Sequence, residues 1–142
     1  MQPVVADLME TEVITIQADR TMRAAGTSLY EHDVGSVIVR SPDSVPMGII
    51  TPRDVLEAIA TREKPLAEIV VTEFMSRPLV TIKSDKSVRT AVRQMNEEGI
   101  EQLVILDGYD VTGVIAQTDV IDAYESLIKS AFQAASPPKD SG

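Results

Sequence analysis

The residue types that most often carry catalysis are scarce in this chain of 142 residues. It has no cysteine and a single histidine, His32, so it lacks a thiol nucleophile, a thiolate zinc site and a histidine cluster for a metal ion. No nucleophile stands beside a base, and neither Gly35 nor Gly48 belongs to a GxGxxG or GxxxxGK pattern that would cradle a phosphate. We therefore expect a protein that is not an enzyme and that uses no catalytic cofactor and no metal.

The sequence Thr51-Pro52-Arg53-Asp54 brings a hydroxyl, a guanidinium and a carboxylate close together. By the rules of helix capping, Thr51 is a suitable N-cap, Pro52 suits the first helical position, and Asp54 stands where a capping box has its acidic partner. On this interpretation the cluster starts a helix and needs no ligand. A binding role for the same residues requires a further observation.

A second stretch, Gly113 to Asp119 (GVIAQTD), matches Gly48 to Asp54 (GIITPRD) in length and at both ends. It has Ala116 where the first stretch has Thr51, so we expect the capping partner of Asp119 to be lost. An acidic residue that persists without this partner favours a role beyond capping, although acidic residues are common in any first helical turn.

The charge and the apolar runs of the chain exclude several classes of partner. Acidic residues outnumber basic ones 22 to 13, which gives a net charge of −9 and disfavours binding to nucleic acids or anionic membranes. The N-terminus, MQPVVADLMETEV, lacks the basic flank of a secretory signal, and no apolar stretch approaches the ~20 residues of a membrane span. We expect a cytoplasmic protein with no nucleic-acid or membrane partner.

The chain contains an internal repeat. Residues 5–40 align with residues 71–106, and with one residue deleted GII at 48–50 falls on GVI at 113–115. The apolar pattern also matches, so two copies of one unit make up nearly the whole chain. The identical pairs are Val5/Val71, Met9/Met75, Thr15/Thr81, Ile16/Ile82, Asp19/Asp85, Arg23/Arg89, Ala25/Ala91 and Glu31/Glu97.

Both units predict the order strand, helix, strand, strand, helix. Runs of β-branched residues indicate the strands, and apolar residues at helical spacing, each set after an Asp or Ser, indicate the first helix. The first unit predicts a strand over Thr11–Ile16, a helix through Met22, Ala25 and Leu29, strands over Gly35–Val39 and Met47–Ile50, and a helix from Pro52. The second predicts a strand over Leu79–Ile82, a helix through Val88, Ala91, Val92 and Met95, strands over Leu103–Leu106 and Val111–Ile115 around a hairpin turn at Asp107-Gly108, and a helix from Gln117.

We therefore divide the chain into a first repeat at 1–62, a linker at 63–70, a second repeat at 71–130 and a C-terminal end at 131–142. The linker predicts at most one helical turn, and the final SPPKDSG is typical of a disordered tail. An apolar stripe of Tyr124, Leu127, Ile128 and Ala131 continues the last helix. It packs either on its own domain or against a second copy of the chain.

The repeated element order, the stretch MSRPLVTI at 75–82 and the stretch GIITPRD at 48–54 resemble a tandem pair of cystathionine beta-synthase (CBS) domains, over about residues 4–128. The resemblance implies an α+β fold of two β-α-β-β-α repeats, packed as a pseudo-twofold CBS pair (Bateman module) with two clefts between the repeats. It also implies a reason for Gly48, which permits close backbone approach, although a turn would use a glycine as well.

In function, the resemblance implies a regulatory, ligand-sensing module that binds AMP, ADP, ATP or S-adenosylmethionine in these clefts. Such modules pair into homodimers and modulate a protein effector, which we expect on a separate chain. The alternative is a scaffold that dimerises and binds no ligand. The sequence does not identify the preferred ligand or the effector.

The same resemblance assigns roles to residues of the first cleft. Asp54 would accept hydrogen bonds from both ribose hydroxyls, a task that suits the two acceptor oxygens of a carboxylate. Thr51 would offer its hydroxyl to the ribose or a phosphate, and Arg53 would contact a phosphate. The adenine would lie against Leu79 and Val80 from the opposite repeat.

In the second cleft the resemblance places Asp119 opposite Val13 and Ile14, with Thr118 as a substitute for the missing hydroxyl. His32 stands where some members place basic residues against phosphates, or else is an ordinary exposed residue at a helix end. Since few positive charges accompany it, the resemblance favours AMP, adenosine or S-adenosylmethionine over ATP.

Overall fold

The structure is a computed structural model that describes residues 3–77 and 79–135. Two short 3₁₀ turns, Leu66–Glu68 and Val71–Glu73, connect the two repeats. The helices and strands are α1 (Val5–Leu8), β1 (Thr15–Gln17), α2 (Met22–His32), β2 (Val37–Arg40), β3 (Pro46–Ile50), α3 (Pro52–Thr61), β4 (Thr81–Ile82), α4 (Val88–Glu98), β5 (Gln102–Asp107), β6 (Asp110–Ala116) and α5 (Gln117–Ala135).

Each repeat contains one three-stranded sheet, ordered β1-β2-β3 in the first and β4-β5-β6 in the second. The first strand of each sheet is parallel to the second, with a helix as the crossover, and the second and third strands are antiparallel. Both hairpins shift register at matching positions, between Val39 and Arg40 and between Ile105 and Leu106. The predicted α+β fold of two β-α-β-β-α repeats is confirmed.

Helices α2 and α4, which follow the first strand of each repeat, begin at a hydroxyl cap and bury the predicted apolar stripe. The Thr21 side chain accepts a hydrogen bond from the Ala24 N–H (3.2 Å), and the Ser87 side chain accepts one from the Thr90 N–H (3.0 Å). The expected Asp before α2 is therefore not its cap. The residues that these helices bury are Met22, Ala25 and Leu29 in α2, and Val88, Ala91 and Met95 in α4.

Each hydrophobic core is completed by the segment that precedes the first strand of the other repeat. Ile69, Val71 and Met75 pack into the core of the first repeat, and Val5 and Met9 pack into the core of the second. Backbone hydrogen bonds fix this exchange, from the Met22 N–H to Ile69 O (2.7 Å) and from the Val5 N–H to Lys86 O (2.8 Å). We call residues 3–10 and 69–76 the crossover segments. They interlock the two repeats.

The glycines of the two matching stretches lie directly under the crossover segments. A Cβ at Gly48 would lie 2.7 Å from Met75 Sδ and 2.8 Å from Ser76 O. A Cβ at Gly113 would lie 2.8 Å from Glu10 O. These distances are too short for any side chain, so packing between the repeats requires both glycines whether or not a ligand binds.

The first strand of each repeat is shorter than the sequence predicts. The expected Thr11–Ile16 strand is reduced to β1, and the expected Leu79–Ile82 strand is reduced to β4. The carbonyls of Ile14 and Val80 still accept one hydrogen bond each, from Ile38 N–H (2.9 Å) and Val104 N–H (3.1 Å). Val13 and Leu79, which precede them, lie outside both strands and line the spaces between the repeats.

The last helix, α5, extends to Ala135, beyond residue 130, where we placed the end of the second repeat. The predicted tail at 136–142, and the side chains of Leu127, Ile128 and Ala131, lie outside what the structure describes. Tyr124 is exposed. No helix in the described ranges combines the length and the apolar composition needed to cross a bilayer.

Candidate functional site

Two clefts of unequal size lie between the repeats. The Asp54 cleft has a volume of about 630 Å³ and is formed by β3 and the start of α3 on one side and by residues around β4 and β5 on the other. The Asp119 cleft, with about 180 Å³, is formed by the end of β6 and the start of α5 facing residues 10–14 and 33–38. We use these two names below.

Asp54 is a buried carboxylate held at the first turn of α3. Its Oδ2 accepts hydrogen bonds from the Thr51 N–H (2.8 Å) and from the Thr51 hydroxyl (3.2 Å). In the described part of the chain, no buried side-chain oxygen or nitrogen lacks a hydrogen-bond partner. Both bonds go to Oδ2, so Oδ1 has no hydrogen-bond partner among the described residues and is not fully buried; it can accept a hydrogen bond from a ligand.

The environment of Asp54 opposes its ionisation. Burial raises the pKa of the carboxyl group above its ordinary value, and the neighbouring Glu57 adds to the rise, while hydrogen bonds from Thr51 and the charge of Arg53 act against it. The Thr51 hydroxyl points its proton at Asp54. It can therefore accept a hydrogen bond from a ligand, whereas donation to a ribose or a phosphate would break its bond to Asp54.

The other predicted residues of the first site line this same cleft. Arg53 lies beside Asp54, and Leu79 and Val80 form part of the wall that the second repeat contributes. The structure thus brings together a carboxylate, a cation and an apolar wall. Further apolar residues on the cleft are Ile49, Ile100 and Val104.

Sequence reasoning missed several polar residues of the Asp54 cleft. Glu57 lies one turn after Arg53 on α3, a spacing that the helical period would have revealed. Arg77 lies in the stretch MSRPLVTI, and its position next to the apolar wall was the available signal. Glu98 is the last residue of α4 and Glu101 lies between α4 and β5; nothing local in the sequence indicates that they reach the cleft.

Asp119 repeats the geometry of Asp54 at the start of α5. Its Oδ2 accepts a hydrogen bond from the Ala116 N–H (2.8 Å). The prediction that Ala116 removes the capping partner is therefore wrong, because the partner is the backbone N–H, which alanine also has. Burial raises the pKa of Asp119, and the negative charges of Glu10 and Asp122 raise it further.

The Asp119 cleft differs from the Asp54 cleft in size and charge. Val13, Ile14 and Thr118 line it together with Asp119, and Thr118 is exposed. The charged residues on its wall are all acidic: Glu10, Glu12, Asp33 and Asp119. Gln102, which lines both clefts, donates a hydrogen bond from Nε2 to Gly35 O (3.0 Å) across the repeat boundary.

The structure does not bring His32 to the wall of either cleft. It is the exposed last residue of α2, with Nδ1 3.0 Å from Ser28 O in its own helix. Asp33, the left-handed residue that ends α2, lines the Asp119 cleft instead. His32 is thus poorly placed to contact a phosphate.

The sequence model of the CBS domain matches residues 5–61 and again residues 71–126. The chain belongs to the CBS-domain family. The predicted family resemblance is thereby confirmed, and the two interlocked repeats form a CBS pair.

Curated relatives match most of this chain and are longer than it. An uncharacterized protein of Methanopyrus kandleri is 29% identical over 125 residues, which is 87% of this chain and 64% of the relative. An uncharacterized protein of Methanocaldococcus jannaschii is 25% identical over 90% of this chain and 33% of its own length. The chain therefore spans one third to two thirds of the length of these relatives.

Solved CBS structures have the same fold. The CBS domain pair of protein MJ0100, in complex with 5′-methylthioadenosine and S-adenosyl-L-methionine, aligns with a TM-score of 0.79 and 22% identity over 89% of this chain and 98% of the other. A hexameric CBS-CP12 protein from bloom-forming cyanobacteria aligns with a TM-score of 0.78 and 20% identity over 96% of this chain and 88% of the other. Members of this fold thus include a protein that binds adenosine compounds and a protein that forms an oligomer.

Proposed function

We propose that this CBS pair is a regulatory module that binds an adenosine-containing ligand in the Asp54 cleft and modulates a protein effector. The observation that carries the proposal is the Asp54 carboxylate, which keeps one oxygen for a ligand at the edge of a cleft with an apolar wall. The ligands bound to the MJ0100 pair, which has the same fold, support an adenosine compound.

The two ends of an adenosine match the two parts of the cleft. Asp54 would accept hydrogen bonds from the ribose hydroxyls, which are donors to a charged acceptor and therefore contribute more than neutral pairs. The adenine would lie against Leu79 and Val80, where its apolar faces replace water. Regulation would follow if the partner reads a conformation that the bound ligand favours.

The sizes of the clefts support one ligand per chain. Small-molecule sites range from about 300 to 1,000 Å³, and the Asp54 cleft, at about 630 Å³, lies within that range. The Asp119 cleft, at about 180 Å³, lies below it and is lined by acidic residues without a cation among its described lining residues. We propose that Asp119 caps α5 and takes no nucleoside.

Calorimetric titration of the purified chain with AMP, ADP, ATP and S-adenosylmethionine tests the proposal. We expect at least one of the four to bind with one site per chain, and at 100 times its Kd to raise the free energy of unfolding by about 2.7 kcal/mol. Asp54→Ala should abolish binding, whereas the matched variant Asp119→Ala should retain it. Equal loss in both variants, or no heat with any of the four, would contradict the proposal.

The alternative is a scaffold that binds no ligand, and one set of contacts favours it. Asp54 accepts a hydrogen bond from the Thr51 N–H at the start of α3, and Asp119 accepts one from the Ala116 N–H at the start of α5. Helix capping alone therefore explains both carboxylates. Under this alternative, Asp54→Ala would cost about 0.5–2 kcal/mol of stability, as loss of a helix cap does, and no ligand would shift the Tm. Thermal melting of the two variants, with and without ligand, separates the two functions.

We further propose that two copies of the chain pair through α3 and α5. Each helix exposes two large apolar side chains, one turn apart, at matching positions of the two repeats: Leu56 and Ile59 on α3, and Ile121 and Tyr124 on α5. A chain with internal pseudo-twofold symmetry presents this pair of side chains twice, which suits a symmetric partner. The hexameric CBS-CP12 protein supports oligomer formation on this fold.

A further inference from the structure

The Asp54 cleft carries charges of both signs on both of its walls. The start of α3 provides one wall, and the segment before β4 and the end of α4 provide the other. The charged residues are Arg53, Asp54 and Glu57 on the first wall, and Arg77, Glu98 and Glu101 on the second.

None of these charged groups forms an ion pair with another among the residues that the structure describes. Within the described residues, the ion pair that the structure forms joins Arg62 to Glu73, away from the cleft. Glu57 and Arg53 both act on the ionisation of Asp54, in opposite directions, which places the three groups within electrostatic reach. Arg77 and Glu101 line the cleft and have exposed side chains. The cleft therefore offers its charges to whatever binds there.

The sum of these charges disfavours ligands that carry only negative charge. Four carboxylates and two guanidinium groups line the cleft, which makes it net negative when all six are ionised. A chain of phosphates would meet two arginines but also four carboxylates, and the protein as a whole carries −9. A ligand with one positive and one negative group would find an opposite charge for each.

We propose that the Asp54 cleft selects adenosine ligands whose 5′ substituent carries both a cationic and an anionic group, over nucleotides that carry phosphates alone. This inference rests on the proposed function and narrows it. Glu57, Glu98 and Glu101 hold the cationic group, and Arg53 and Arg77 hold the anionic one. An α-amino acid joined to the 5′ carbon through sulfur has this chemistry.

Three ligands with the same nucleoside isolate the effect of the substituent. 5′-Methylthioadenosine has no charged group, S-adenosylmethionine has a sulfonium, an ammonium and a carboxylate, and ATP has phosphates alone. In calorimetric titrations of the full chain at one salt concentration, we expect S-adenosylmethionine to bind roughly tenfold more tightly than 5′-methylthioadenosine, since charge-assisted contacts exceed neutral ones. ATP should bind more weakly than either.

Variants assign this preference to the named residues. The double variant Glu57→Gln/Glu101→Gln should reduce the affinity for S-adenosylmethionine roughly tenfold and increase that for ATP, with little change for 5′-methylthioadenosine. Arg77→Gln should weaken S-adenosylmethionine and ATP but not 5′-methylthioadenosine. Glu97→Gln is the matched control, because Glu97 is exposed on α4 and does not line the cleft. All these side chains are exposed, so we expect the variants to fold.

The possible outcomes distinguish a failure of the charge selection from a failure of the proposed function. If 5′-methylthioadenosine binds but S-adenosylmethionine binds no more tightly, or if ATP binds best, the charge selection is wrong and the adenosine site stands. If the glutamine variants change all three affinities equally, the selection is also wrong. If none of the three ligands binds, both the proposed function and this inference are wrong.

Discussion

Asp54 has two oxygens with different surroundings, and the proposed function depends on that difference. Oδ2 holds the first turn of α3 through Thr51, while Oδ1 is available at the cleft. A capping carboxylate and a binding carboxylate are therefore compatible in one residue. The two roles can be separated because a substitution that keeps one acceptor oxygen preserves the cap and impairs the diol contact.

We predict that Asp54→Asn lowers ligand affinity at least tenfold while changing the free energy of unfolding by less than about 1 kcal/mol. The amide keeps an oxygen for the Thr51 N–H, but its second atom is a donor and cannot accept the other ribose hydroxyl. Calorimetry and urea unfolding measure the two effects. Asp119→Asn is the matched control and should leave affinity unchanged; an equal loss of affinity there would contradict the assignment of the site.

Ligand affinity should fall as the pH is lowered through the raised pKa of Asp54. The ribose hydroxyls donate to the ionised carboxylate, so binding competes with its protonation, which burial already favours. The contribution of Asp54 to stability without ligand has the opposite sign: the native state binds this proton more tightly than the unfolded state, so protonation stabilises the fold. Calorimetric titrations across acidic pH measure the affinity, and urea unfolding over the same range measures the stability, each with Asp54→Asn as the reference. A wild-type affinity independent of pH would count against the contact between Asp54 and the ribose.

Among the elements, the crossover segments determine how the clefts are formed. Each places a methionine and a backbone carbonyl against a glycine of the opposite repeat, and each continues into residues that line a cleft. Ser76 and Ile49 exchange backbone hydrogen bonds in both directions, at 2.9 and 3.2 Å, on the wall of the Asp54 cleft. The same residues thus form the wall of the Asp54 cleft and the packing between the repeats.

Gly48→Ala should destabilise the fold by about 1–3 kcal/mol, as overpacking does, because its Cβ would lie 2.7 Å from Met75 Sδ and 2.8 Å from Ser76 O. Gly26→Ala is the comparison. Gly26 is within α2, and its Cβ would make an ordinary contact, 3.7 Å from a methyl of Val55, so alanine should stabilise by about 0.5–1 kcal/mol. Denaturant unfolding measures both; a neutral Gly48→Ala would contradict the close approach.

At the scale of the elements, local sequence patterns predicted individual helices but not the contacts between elements. The helices from Met22 and Val88 were predictable because their apolar stripes repeat at the helical period and are buried. The exchange of crossover segments was not, since it depends on contacts between residues far apart in the chain. The identical pairs Val5/Val71 and Met9/Met75 lie in these crossover segments. They did not predict the exchange, because a repeated apolar residue does not indicate which of the two cores it enters.

For the candidate site, the family resemblance predicted which apolar residues lie opposite which carboxylate. Leu79 and Val80 line the cleft of Asp54, and Val13 and Ile14 line that of Asp119. The unequal volumes and charges of the two clefts could not be predicted, because they depend on side chains such as Glu98, at the end of α4, that are far in sequence from the carboxylate they approach. Their roles in binding remain predictions.

For the whole molecule, we predict that Ile59→Glu combined with Tyr124→Glu gives a monomer. Both side chains are more than half exposed, and charges at both would oppose the burial that a dimer requires. Sedimentation velocity measures the mass of the wild type and of the variant. Tyr109→Glu is the control, because Tyr109 is fully exposed at the β5–β6 turn; a monomeric wild type, or a double variant that still dimerises, would exclude this interface.

The most direct test of ligand binding in the Asp54 cleft is to map it residue by residue. Amide nitrogen–proton correlation spectra of the nitrogen-labelled chain would be recorded during titration with 5′-methylthioadenosine. We predict that the largest shifts occur at Thr51, Asp54 and Val80, while Ala116 and Asp119 change little. Shifts confined to the Asp119 cleft, or a saturating titration with none at Asp54, would contradict the proposed site.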